Sequence, residues 1–235
     1  MKKILIIFLL ATLVSFAQET VIDIDYTVDY VVPNKRKKTV DTISIGFNKD
    51  GKYLWTNSNI LTSEFGNSVF FGGAKNIDDA QFNLIYSVEN GTFIILFKYG
   101  ESVIYANLDI ETIIPMDEED SFDENMNLVA EQINEKERVL DFDCSSYKLY
   151  PDSKPNEAIT ISVADDLESK NNVFFSKFIN LMLRMTSSKG QINVDLPDGL
   201  ILKVLDDEGS VLIEAINVEN NKKTITINHS FKITE

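Results

Sequence analysis

Cysteine is nearly missing from this chain of 235 residues. Cys144 stands alone, within the stretch LDFDCSSYKLYP, Leu140 to Pro151. A single cysteine has no intrachain disulfide partner, and it cannot supply the several thiolates of a structural zinc site. Histidine is as scarce. His229 is the only one, so a zinc site would need carboxylates for most of its ligands, an unusual donor set. A single tryptophan, Trp55, leaves little for stacking on sugar rings. The P-loop, the GxSxG elbow, the GxGxxG turn, the HExxH helix and the CxxC pair are also absent, which removes the common signatures of nucleotide, hydrolase, metalloprotease and dithiol chemistry. Two arrangements without a motif remain. One is a Cys144–His229 dyad, since residues distant in sequence can meet in space. The other is a carboxylate pair of the glycosidase kind. The parity of Leu140, Phe142 and Cys144 puts all three on one buried strand face, with Asp141 and Asp143 facing out, and a thiol in apolar surroundings is inert. The chain reads as non-catalytic, with no cofactor and no metal.

Positive charge is also in short supply. There are 22 lysines and arginines against 37 acids, a net charge of −15. A strong negative field argues against nucleic acid as a partner, because proteins meet phosphates with basic patches. It argues equally against electrostatic attraction of the whole molecule to anionic headgroups. It suits solubility and a basic protein partner. The densest acidic run, PMDEEDSFDENM from Pro115 to Met126, reads as a solvated loop between two halves of the chain. A calcium loop would need a glycine at its bend and a fixed ligand spacing, and this run has neither.

Long apolar runs occur only at the start. Lys2 and Lys3 precede the apolar stretch Ile4–Val14, and the small residues Ser15 and Ala17 stand where a signal peptidase would need them for a cut before Gln18. The run is shorter than the roughly 20 residues of a membrane-crossing helix. Residues 1–17 therefore read as a signal peptide and residues 18–235 as a single β-rich domain. No cysteine follows the cut, which excludes a lipoprotein anchor. The expected location is the periplasm or the extracellular space, with no membrane span after cleavage.

Period-two alternation fills the rest. In VIDIDYTVDY, the residues Ile22, Ile24, Tyr26, Val28 and Tyr30 share one face and the acids the other, the pattern of a half-buried antiparallel strand. Similar strands start at Thr39, Lys52, Gln81, Thr92, Ser102, Arg138, Ala158, Gln191, Gly199, Ser210 and Lys223. Turn signals join many of them: Asn48-Lys49-Asp50-Gly51, Asn90-Gly91, Asp206-Asp207-Glu208-Gly209 and Asn220-Asn221. The expectation is eleven or twelve strands in a large antiparallel sheet with a few helices. Ser58–Glu64 and Met126–Glu137 have helical spacing. Val173–Met185, VFFSKFINLMLRM, is apolar nearly all round, and such a helix must be covered on both sides or face a cavity.

Two short motifs have a structural explanation. Asn90-Gly91-Thr92 matches the N-glycan sequon but is better explained by its hairpin. Asp41-Thr42-Ile43 resembles the O-glycosylation signal of Bacteroidetes envelope proteins, although Thr42 also fits a plain strand position.

The end of the leader, Phe16-Ala17-Gln18, is similar to those of Flavobacteria-type secreted proteins. Between Lys136 and Glu219 the chain resembles a family of uncharacterised Bacteroidetes envelope proteins, through Phe142, Cys144 and Tyr147 and then Gly199-Leu200-Ile201-Leu202. Asp141 replaces that family's glycine and Ile201 its proline. The family looks like the lipoprotein localisation factor LolA. The resemblance implies a strongly curved antiparallel sheet, an incomplete barrel, wrapped around an apolar concavity and plugged by a helix. It implies no catalytic residues. A lipid or lipoprotein acyl chain would then lie against Phe174, Phe175, Phe178, Met182 and Met185. The alternative is an envelope structural or protein-interaction module with a closed core and no ligand.

Overall fold

The computed structural model describes residues 19–34, 38–58, 81–99, 102–109, 126–173 and 192–228. Fourteen strands lie among them: β1 (Glu19–Ile24), β2 (Tyr26–Asn34), β3 (Thr39–Phe47), β4 (Tyr53–Thr56), β5 (Gln81–Ser87), β6 (Thr92–Tyr99), β7 (Ser102–Asp109), β8 (Met126–Val139), β9 (Phe142–Pro151), β10 (Ile159–Ala164), β11 (Ile192–Val194), β12 (Leu200–Leu205), β13 (Val211–Glu219) and β14 (Lys223–Asn228). The described residues form two compact units, a small one from 19–23 with 224–228 and a large one from 24–223. In the small unit β1 pairs with β14, and the Thr224 hydroxyl donates to Asp23 Oδ1 at 3.0 Å.

The large unit is built on one twelve-stranded sheet in the order β11-β8-β9-β10-β12-β13-β2-β3-β4-β5-β6-β7. Neighbours are antiparallel except β11, which runs parallel to β8. The chain is thus mainly β, as its alternation predicts. The sheet is open, with β7 and β11 as its edges. It contains an N-terminal meander, β2 to β7, and a C-terminal part, and the two join where β13 pairs with β2.

The alternation of residues 22–30 holds in burial: Ile22, Ile24, Tyr26, Val28 and Tyr30 are all buried. It does not form one continuous strand, because Asp25 interrupts it. The Asp25 backbone N–H donates to Phe47 O at 2.8 Å, and its carboxylate accepts from the Lys49 N–H at 2.8 Å and from Asn48 Nδ2 at 3.3 Å. Asp25 therefore fastens the Asn48–Gly51 turn between β3 and β4. The expected hairpins across Asn90-Gly91 and Asp206–Gly209 are present. At the former, Thr92 lies opposite Ser87 with its hydroxyl buried, which fits the hairpin reading of that triplet.

Three expectations are corrected. Met126–Glu137 is not a helix but most of strand β8, with Leu128 opposite Pro151 and Val139 opposite Phe142. Its Ala, Glu, Gln and Lys content favours helix, but the backbone hydrogen bonds to β9 override that propensity. A bulge between Ile133 and Lys136 also resets the period-two pattern in mid-strand. Leu140 is not on the buried face. With Asp141 it makes the two-residue loop between β8 and β9, 41% exposed and at φ +56°. Asn220-Asn221 does not close a hairpin, since β14 pairs with β1 and not with β13. Of the expected helix Ser58–Glu64 only Ser58 lies within the described residues.

The sheet is packed on both faces. Cys144, Ala164, Leu200, Leu202, Ala215, Tyr30 and Val28 form one core, and Leu149, Ile161, Val163 and Leu196 form another. Ala164 and Val163 are neighbours on β10, as are Leu200 and Ile201 on β12, so the two cores lie on opposite faces of the same strands. On β5, Ile85, Tyr86 and Ser87 are buried in succession, as is Val88 just past its end, so that strand too is covered on both sides.

Two substitutions test this backbone. A leucine at positive φ is strained, by about 1 kcal/mol, and Leu140 is exposed. Leu140→Gly is expected to raise the unfolding free energy in urea by about that much. Gly199 sits at φ +134°, and a Cβ there would lie 2.5 Å from Val163 Cγ1 and 2.9 Å from Ala164 O. Gly199→Ala is expected to cost about 3 kcal/mol in the same titration.

Candidate functional site

Phe174, Phe175, Phe178, Met182 and Met185 lie outside the described residues, as do His229, the signal segment and residues 115–125. What is described is the frame on either side of the segment that carries the five. Residues 171–173 are helical, and Val173, the last described residue before the segment, is 39% exposed. The chain resumes at Ile192 in β11. The approach and the return are bonded to each other. Asn171, buried, donates from Nδ2 to Pro197 O at 2.7 Å. Asn172 donates from Nδ2 to Asp195 Oδ1 at 2.9 Å and accepts on Oδ1 from the Leu196 N–H at 2.5 Å. The Gly199 N–H donates to Ser169 O at 2.9 Å. A further hydrogen bond holds the approach to the β3–β4 turn: the Lys170 N–H donates to Lys49 O at 3.1 Å. Gly51, at φ +69°, lies so close that a Cβ would meet Lys170 O at 2.7 Å and Val173 Cβ at 3.2 Å. Ser169–Val173 and Asp195–Gly199 therefore form a clamp, seated on the turn that Asp25 fastens.

Beside this clamp is an open groove of about 440 Å³, lined by Asp50, Lys52, Glu89, Lys170 and Val173. Lys52 and Asp50 are 3.9 Å apart, both exposed. The lining carries two cations, two carboxylates and one apolar side chain. Such a wall can hold a charged or zwitterionic group by contact.

The remaining candidates resolve individually. Cys144 is 1% exposed, burial pushes its thiol pKa up, and Sγ donates to Phe142 O at 3.7 Å. It is a core residue in the first apolar cluster. Trp55 is buried, with Nε1 donating to Asn83 Oδ1 at 3.1 Å and Lys223 Nζ lying 3.6 Å from its ring centre, so no face is open for a sugar. Among the described residues no three His, Cys, Asp or Glu side chains converge to hold a metal. Thr42 is exposed on β3, opposite Val31.

One cluster was not legible in the sequence. Lys203 Nζ lies 2.5 Å from Glu137 Oε1 and 3.5 Å from Glu214 Oε1, and the Ser162 hydroxyl donates to Glu137 Oε2 at 2.7 Å. The three charged residues come from β8, β12 and β13, and only the strand order brings them together. Burial by itself would raise the Glu137 carboxyl, but the hydrogen bonds from Lys203 and Ser162 and the charge of Lys203 outweigh it and hold the group below its ordinary range. The bond to Glu137 raises Lys203 most. Burial opposes that rise, and the charges of Glu137 and Glu214 add to it. A lysine held this firmly in its charged form is a poor general base, so the cluster is structural.

Neither a protein-family model nor a curated protein matches this chain. No helix of the described residues is long and apolar enough to cross a membrane.

The sign of each shift fixes a pH dependence. The depressed Glu137 contributes stability that is complete above its ordinary value of 4.5 and is lost as pH falls through its folded-state value. The raised Lys203 contributes below 10.5 and loses its contribution as pH rises through its own folded-state value. Urea titrations are expected to show a plateau between these limits, with a shallower acid limb in Glu137→Gln. Lys203→Met leaves two partly exposed carboxylates unpaired and is expected to cost about 2 kcal/mol at neutral pH, less than a fully buried pair would.

Proposed function

We propose that the protein is a secreted or periplasmic, non-catalytic binding module that holds an acyl chain or the lipid of a lipoprotein. The observation that carries this reading is the clamp. Asn171, Asn172 and Ser169 tie both feet of the 174–191 segment at one place, beside an open groove with charges of both signs. The enclosed sequence supplies Phe174, Phe175, Phe178, Met182 and Met185, adaptable apolar side chains suited to a lipid tail. Burial at roughly 25 cal/mol per Å² makes such a tail a favourable ligand without a polar site. The likeness to the LolA carrier, with a curved sheet plugged by this segment, is the finer form of the same reading. The sheet of the described residues is open, so the concavity would be completed by the segment and not by strands closing on one another.

A second reading rests on a different observation. Strands such as β5 and β10 are already buried on both faces, which suits an envelope module with a closed core that meets its partners through its surface, a basic protein at the acidic sequence 117–124 among them.

Native mass spectrometry of protein purified from its own envelope separates the two. The carrier reading expects a co-purifying lipid mass and micromolar binding of a fluorescent fatty acid. Phe174→Ala/Phe178→Ala/Met182→Ala should weaken that binding at least about tenfold, or 1.4 kcal/mol. A clean apo mass together with no uptake of the fatty acid would leave the closed-core module standing.

A further inference from the structure

Three separate stretches of chain meet at the groove beside the clamp. Asp50 and Lys52 come from the β3–β4 turn, Glu89 from the β5–β6 turn, and Lys170 and Val173 from the approach to residue 174. Backbone contacts hold the three together. The Val88 N–H donates to Lys52 O at 2.8 Å, and the Lys170 N–H to Lys49 O at 3.1 Å. The Gly51 N–H closes the first turn on Asn48 O at 2.9 Å, and Gly51 itself leaves no room for a Cβ beside Lys170 O. The points from which the four charged side chains project are thus set before anything binds, which lowers the ordering cost of a ligand. The charges stay available. Lys52 and Asp50 are 3.9 Å apart with both side chains more than half exposed, a weak contact. Glu89 and Lys170 are exposed, and neither takes part in an ion pair among the described residues. The groove's volume of about 440 Å³ has room for more than a single ion, since small-molecule sites run from about 300 to 1,000 Å³.

We infer that this groove binds a small zwitterion, an ammonium joined to one anionic group through a short linker. Two lysines and two carboxylates cancel, so a ligand with a single charge meets repulsion from one pair whichever sign it carries. A zwitterion is attracted by both pairs, its ammonium by Asp50 and Glu89 and its anion by Lys52 and Lys170, with the linker against Val173. The net charge of −15 sharpens the choice. A simple anion is repelled by the chain as a whole, and a simple cation is drawn to acids all over its surface and not to this place. Two sources share the required chemistry: the ethanolamine phosphodiester headgroup of a phospholipid, and a free amino acid. The inference does not depend on the acyl-chain reading, because a protein with a closed core presents the same groove.

The test is titration of the full protein at low salt, followed by its amide NMR shifts, with glycerophosphoethanolamine, β-alanine, ethanolamine and inorganic phosphate. Binding of a zwitterion is expected with a Kd in the millimolar range, because each exposed pair is weak by itself. Ethanolamine and phosphate, each carrying half of the chemistry, should bind at least about tenfold more weakly. Glu89→Gln and Lys170→Gln should each weaken the zwitterion about threefold and together about tenfold, with thermal unfolding unchanged. Lys154→Gln, exposed and outside the groove, should leave the affinity as it is. Tighter binding of glycerophosphoethanolamine supports the site and assigns it to a lipid headgroup; tighter binding of β-alanine supports it and assigns a free amino acid. No shift with either zwitterion, equal affinity for ethanolamine or phosphate alone, or wild-type affinity in the double variant would overturn the proposal. The fatty-acid uptake measured on the same protein fails or succeeds separately.

Discussion

The large unit depends on one seam, the pairing of β13 with β2, which joins a meander from the start of the chain to strands near its end. Backbone bonds set its register, with Ala215 opposite Tyr30 and Val218 opposite Val28. Tyr30 reinforces it in a way that backbone bonds cannot. Its phenol passes over β13 and donates to Ile201 O on β12 at 2.7 Å, while burial drives its pKa far above the ordinary tyrosine value. A buried hydroxyl without a partner would cost on the order of 1–3 kcal/mol, so this bond ties three strands into one arrangement and penalises a slip. Asn217, just past the bulge at Ile216, donates from Nδ2 to Asp29 Oδ2 at 3.0 Å and fixes the other side of the irregularity. Short connections then place β2-β3-β4 and β5-β6-β7 on one side of the seam and β8-β9-β10 and β12-β13 on the other, while β11 lies at the far edge beside β8. The two cores then fall on opposite faces because adjacent residues of β10 and β12 point in opposite directions.

The same seam governs the clamp. Asp25 stands just before β2 and fastens the β3–β4 turn, and that turn receives Lys170 and Val173. Gly199 opens β12 and accepts no side chain, because Val163 and Ala164 of β10 occupy the space. The feet of the 174–191 segment are thus set by strands on both sides of the joint. A binding element built this way has rigid anchors, which lowers the ordering cost of whatever it holds.

How much of this could be read from the sequence follows the range of each interaction. Alternation and turn chemistry are local, so Thr39–Phe47 was expected to the residue and the hairpins at Gly51, Gly91 and Gly209 stand where their signals lie. The failures are non-local. Met126–Glu137 has helix-forming composition, and only β9 and β11 on either side make it a strand. The break at Asp25 needs Phe47 to explain it, and Leu140 was misplaced because a two-residue loop leaves the alternation intact on either side. The Glu137–Lys203–Glu214 cluster spans three strands and has no sequence period. For the site, the apolar run was legible, while Asn171 and Asn172 before it were not, because their partners Pro197, Asp195 and Leu196 lie more than 20 residues away.

The acidity of the chain also takes on a different meaning. Read as a total, −15 suggests a basic partner. Read by position, many of the acids are occupied as hydrogen-bond acceptors for neutral donors. Asp25 serves the Asn48–Lys49 backbone and side chain, Asp206 accepts from the Ser210 N–H, Asp195 from Asn172, Asp152 from Asn127, Asp165 from Ser145, and Asp29 from Ser44 and Asn217. A hydrogen bond from an amide or hydroxyl satisfies the carboxylate without bringing a positive charge to offset it. A fold that fastens its turns and strand ends in this way accumulates negative charge as a by-product of its own hydrogen bonding. The total therefore needs no partner to account for it. The informative departure is local: the sequence Lys35-Arg36-Lys37-Lys38, where four consecutive cations interrupt an acidic background.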